Sequence, residues 1–210
     1  SGYPCLYARL HPTLSFMRNP KFFAERVTAV SEVKIIGQLM VFNGLNGICS
    51  AAALKAACFQ EPLTGADQAG FFDFLNAGAG GTRQWDVALS KAVRDDVWDQ
   101  GFMIQHAVVD AIYAARLCQE KGLSSLTSMP MVSTGLAFSH LLNQYPDAPL
   151  ATHAVVREML KENAAGIDSL LREGMDYGNP GSSLDKCIAS LPEKVRKTVC
   201  LDVEQADFKS

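Results

Sequence analysis

The sequence predicts a mainly α, compact multi-helix globular domain of about seven or eight helices, with minor strand content near residues 33–42. Three observations carry that expectation. Apolar residues recur at three- and four-residue spacing over long stretches, as in Ile104, Val108, Ile112 and Ala115. Several of these stretches are alanine-rich, which favours helix over strand. The breaks between them are short and built on Gly, Pro and Asn. With 48% hydrophobic and 20% charged residues in a chain of 210, there is ample material for a buried core.

In chain order, residues 1–20, with Pro4, Pro12 and Pro20, read as an irregular N-terminal arm, and 21–210 as a single helical domain. Asn19-Pro20 has the form of an N-cap followed by proline at the first helical position, so a helix is expected from about Lys21. Residues 33–42 fit a buried helix better than a strand, although their β-branched side chains and the following Asn43-Gly44 allow either. The run Asn43-Gly44-Leu45-Asn46-Gly47 is expected to break the chain, and the alanine-rich stretch 48–59 to begin a new helix. Thr82 is placed to cap a helix through about Gln100. Residues 102–121 form the clearest helix, apolar over most of its circumference and ended by Gly122. A loop around Pro130 precedes a helix over 135–144. A long helix is expected from Pro149 to about Glu173, then a loop over 176–183 and two short helices over 184–191 and 192–204.

Composition excludes some functions. The net charge is −3, and the densest basic cluster, Lys194, Arg196 and Lys197, is flanked by Glu193, so the basic stripe of a nucleic-acid binder is missing. The most apolar segment, 35–57, is interrupted by Gln38, Asn43, Asn46, Lys55 and three glycines, and no membrane span is expected. The stretch opens without a signal-peptide pattern, and the cytoplasm is favoured over secretion. The six cysteines show no CxxC and no metal-ligand spacing with histidine. Free thiols are expected, with no metal and no cofactor.

Chemistry has three places to reside. Cys49 falls in the first turn of the helix expected from residue 48, where unpaired backbone N–H groups and the helix dipole would favour a thiolate. A thiol nucleophile needs a base, and His106 has Asp110 four positions on, as a histidine oriented by a carboxylate requires. The run 76–83 enters a helix, and its Gly80, Gly81, Thr82 and Arg83 form a candidate anion site. It lacks the Gly-Lys-Ser/Thr ending of a phosphate-binding loop. Each feature also has a structural explanation: a packed thiol, a satisfied polar pair, a capped loop. Asp95, Asp96 and Asp99 read as a solvated acidic face, and His140 and His153 as structural residues.

The expectation is therefore a soluble helical protein that binds a protein partner or its own copies without catalysis of its own. A small apolar ligand is a further option, and methionine and phenylalanine supply adaptable surface. The alternative is a cysteine-dependent hydrolase or transferase, with Cys49 as nucleophile, His106 as base and Asp110 orienting it.

Overall fold

Helix α1 (Pro4–Ser15) occupies the region expected to be irregular. Proline at its first turn costs nothing, because the missing N–H would have no partner there. No residue of α1 is buried in the core. It rests instead on the segment that follows: the Tyr7 hydroxyl donates to the Pro20 carbonyl at 3.0 Å, and the Tyr7 ring lies 5.2 Å from that of Phe22. Gly2 N–H donates to the Ala24 carbonyl. Residues 21–26 are therefore not helical, contrary to the Asn19-Pro20 signal. The computed structural model giving these contacts describes residues 2–17, 19–26 and 28–199.

The break expected at 43–47 is also absent. One helix, α2 (Ala29–Phe59), runs through it, and the strand content allowed at 33–42 is helical. The polar residues that suggested a turn are satisfied inside the helix or across it. Asn43 donates to the Leu39 carbonyl at 2.9 Å, and Asn46 donates to the Thr134 hydroxyl at 2.7 Å on a neighbouring helix. Gly44 is needed for close approach rather than for a turn, since a Cβ there would lie 2.7 Å from Thr82 Oγ1. Phe42, Leu45, Ile48 and Cys49 face inward, and full burial of a Phe or Leu contributes about 1.5–3 kcal/mol.

Beyond α2 come α3 (Ala66–Asn76), then a π-helical turn (Trp85–Leu89) that continues into α4 (Ser90–Asp95). Thr82 does accept a hydrogen bond from Gln84 N–H, as a cap should, but the helical run stops at Asp96 in a left-handed conformation, short of Gln100. The expected central helix is α5 (Ile104–Glu120). Its end is a Schellman motif: Gly122, at φ +67°, donates to Gln119, and Leu123 donates to Cys118. α6 (Ser125–Gln144) begins earlier than expected because Ser124 caps it, accepting from Leu126 N–H, and Pro130 lies within the helix instead of in a loop.

The single helix expected from Pro149 is two. Residues 149–151 run extended beside 98–104, with one isolated antiparallel bridge, Met103–Ala151. A 3-10 helix (Thr152–Met159) follows. Asn163 closes the break by donating to the Arg157 carbonyl, and α7 (Ala164–Gly174) starts there. α8 (Pro180–Ala189) is capped by Asn179 with proline at its first position, and α9 (Glu193–Arg196) is short. The expected extension of the last helix to Glu204 lies outside the described residues.

The architecture is thus mainly α, with no strand among the described residues. α5 and α6 pair most extensively, and α2 packs across them and the 3-10 helix. Glycines set the close seams: a Cβ on Gly135 of α6 would meet Cys187 Sγ of α8 at 2.7 Å. By length and composition alone α2 is apolar enough to cross a membrane, a test that the core helix of a soluble protein also passes. Only 22% of its most apolar window is buried in the fold.

Candidate functional site

The unbroken α2 changes what Cys49 can do. The thiol sits in the interior of a long helix, where backbone N–H groups are spent on i−4 carbonyls, so the helix terminus needed for activation is not there. It is 0% exposed, and burial in apolar surroundings pushes its pKa well above the ordinary thiol range, opposite to a poised nucleophile. No hydrogen bond or ion pair joins it to a histidine among the described residues. The local basis for the nucleophile is removed.

His106 and Asp110 do come together, on the wall of an open cleft of about 390 Å³ shared with Lys34, Gln38, Phe102 and Thr198. The carboxylate is not aimed at the imidazole. Asp110 is ion-paired with Lys34 and accepts from the Gln38 amide at 2.8 Å, both from α2. His106 is exposed and pairs with neighbouring Gln105 at 3.3 Å. Asp110 therefore ties α5 to α2, and no hydrogen bond to it fixes the tautomer of His106.

The candidate anion loop is folded upon itself. Thr82 N–H donates to Asn76 Oδ1 at 2.7 Å, Gly81 N–H to the Gly78 carbonyl, and Gln84 N–H to Thr82 Oγ1. A Cβ on Gly81 would lie 2.2 Å from the Asn76 carbonyl oxygen, which explains the glycine by tight closure. Arg83 pairs with Asp86 at 3.8 Å. Gly80 lines the groove formed by Ile48, Ala51, Phe72 and Phe74. The Gly81 and Thr82 amides, which would cradle an anion, already have partners.

Asp96, His140 and His153 make contacts within the fold. Asp96 accepts from the Trp98 indole at 2.6 Å, and no cluster of three metal-ligating side chains occurs among the described residues. His153 is buried, with Nε2 at 3.1 Å from the Val97 carbonyl and Nδ1 unpartnered. Burial lowers its pKa, opposed by the Val97 bond. His140 and Glu158 form a nearly buried pair at 3.3 Å that ties α6 to the 3-10 helix. Nothing in the sequence spacing signals that pair. The five described cysteines are free, Cys5 and Cys58 exposed, and Cys187 pushed up to about 12 by burial; Cys200 lies outside the described residues.

What sequence reasoning missed is the outer side of α2. Ile36, Met40, Asn43, Gly47, Ser50, Leu54 and Ala57 recur at alternating four- and three-residue steps, and all are exposed. That is the spacing of a helix–helix seam. Beside it, Ile48 and Ala51 form one wall of a groove of about 570 Å³, with Phe72, Phe74, Leu75 and residues 76–80 opposite. Met40 is 72% exposed, Leu54 64% and Phe74 78%. A helical-wheel reading of 29–59 as one helix would have shown this stripe. Assuming a turn at 43–47 concealed it. The chain matches no family model, no curated protein and no solved structure, so its function has to be argued from this geometry.

Proposed function

We propose that this protein acts by binding, without catalysis of its own, and that its principal surface is the outer face of α2 with the adjoining α3 groove. One observation carries the proposal: a 31-residue helix whose solvent side keeps seam spacing and large apolar side chains. Single exposed hydrophobes are ordinary, but an aligned row beside an apolar groove marks an interaction surface. The loss of the local basis for Cys49 as a nucleophile, and the use of Asp110 as an interhelical tie, also favour binding over thiol chemistry.

The favoured occupant is a second copy. Met40 and Leu54 lie seven residues on either side of Gly47, and a Cβ on Gly47 would meet nothing within 4 Å. Two α2 helices crossing antiparallel at Gly47 would bring each Met40 against the partner's Leu54, as a two-fold interface requires. Small residues at the crossing, Gly47 and Ala51, let the backbones approach. Sedimentation equilibrium tests this. The wild type is expected to dimerise at micromolar concentration, and Met40→Glu and Leu54→Glu to be monomers with unchanged helical circular dichroism. A wild type that stays monomeric would exclude the second copy. Flotation of the wild type with phosphatidylcholine vesicles would assign the face to a bilayer, the occupant suggested by the length and apolarity of α2.

A further inference from the structure

A second groove, on the opposite edge of α2, has a different character. It holds about 200 Å³ between the first turns of α2 and the end of α5, walled by Ile35, Ile36, Leu39, Leu117 and Leu123, with the Cys118 thiol at its side. That is smaller than a drug-sized pocket, so it suits a short aliphatic chain. Its mouth carries Glu32 and Lys121.

The charges at that mouth do not balance. Glu32 is held by both terminal nitrogens of Arg26, whereas Lys121 approaches the same carboxylate at only 3.9 Å. Two cations share one carboxylate. The neighbouring charges are engaged elsewhere, Arg116 with Glu120 and Lys34 with Asp110. Lys121 also stays 59% exposed, free to turn toward a ligand. An apolar slot with one surplus cation at its mouth complements a chain bearing one anionic head.

We propose that this groove binds a short-chain carboxylate amphiphile, its tail between Ile35, Leu39 and Leu117 and its head on Lys121. The site shares Ile36 with the outer α2 seam, but the proposal does not rest on that seam or on its occupant. The lining thiol allows a local readout, because a bound tail would cover Cys118 and leave the exposed Cys5 and Cys58 untouched.

Equilibrium dialysis of the full chain with octanoate, octanol and octylammonium tests the proposal, together with alkylation of Cys118 at alkaline pH followed by peptide mass mapping. Octanoate is expected to bind about two- to fivefold more tightly than octanol, the worth of one partly exposed ion pair. Octylammonium should bind more weakly still. Octanoate should slow alkylation of Cys118 alone, and Lys121→Glu should remove its advantage over octanol. Equal binding of octanoate and octylammonium, octanoate binding undiminished in Lys121→Glu, or binding without protection of Cys118 would each overturn it.

Discussion

Lys34 on α2 and Asp110 on α5 form an ion pair across the seam between the two helices, with Asp110 only 8% exposed and Gln38 donating to its second oxygen. The carboxylate that the sequence offers to His106 is thus committed to holding α2 on the core. Removing either partner should destabilise the fold. Lys34 is half-exposed, so Lys34→Met is expected to cost about 1–2 kcal/mol, a solvent-discounted value. A double-mutant cycle with Asp110→Asn in urea unfolding should show positive coupling. Strictly additive losses would mean that the pair carries no linkage.

Thiol reactivity separates the two sides of α2. With iodoacetamide at neutral pH, Cys5 and Cys58 are expected to label in the folded protein, while Cys49 and Cys187 stay inert until denaturant is added. Rapid labelling of Cys49 in the native state would restore the nucleophile expected from the sequence.

Two glycines three residues apart should respond in opposite directions. Gly44→Ala places a Cβ against the Thr82 hydroxyl that caps the next helical run, and should lower stability by about 1 kcal/mol. Gly47→Ala faces open space within the single chain and, measured at concentrations too low for dimerisation, should raise it by about 0.5–1 kcal/mol. Thermal unfolding of the two variants checks both signs, and destabilisation by both would indicate a turn.

These glycines also show how much of the fold was legible. The periodicity of α5 and the terminating Gly122 were readable because local signal and tertiary role agree there. At 43–47 they conflict: Asn-Gly is a turn signal, but Asn46 bonds to Thr134 and Gly44 admits Thr82, contacts from residues distant in sequence. Asn-Pro occurs twice. It opens α8 at 179–180, where Leu184 and Cys187 have a core to enter. At 19–20 no helix follows, and the Pro20 and Ala24 carbonyls accept from Tyr7 and Gly2. The activation inferred for Cys49 is lost for the same reason, since it rested on a helix start that does not exist. His106 and Asp110 were correctly placed on one face, but the partner of Asp110 lies 76 positions away in sequence.

Buried His153 gives the fold a pH dependence of known sign. Its folded pKa is lowered, mainly by burial, below the ordinary value near 6.5, so the unfolded chain binds the proton more readily. Its contribution is fully present above about pH 6.5 and declines as pH falls from there toward the folded pKa. Urea midpoints should therefore drop more steeply between neutral and mildly acidic pH in the wild type than in His153→Phe. The difference in slope should be at most about 1.4 kcal/mol per pH unit. Parallel slopes would show that His153 is protonated equally in both states.

The proposed antiparallel crossing of two α2 helices is tested most directly by oxidative cross-linking of single cysteines in a background where Cys5, Cys58 and Cys200 are replaced by serine. Gly47→Cys should form a disulfide with its own copy at the two-fold axis. Met40→Cys alone should not, because two such positions would lie roughly 20 Å apart along the paired helices. A mixture of Met40→Cys and Leu54→Cys chains should cross-link efficiently. Self-linking of Met40→Cys, or failure of both Gly47→Cys and the mixture, would contradict the proposed use of this face.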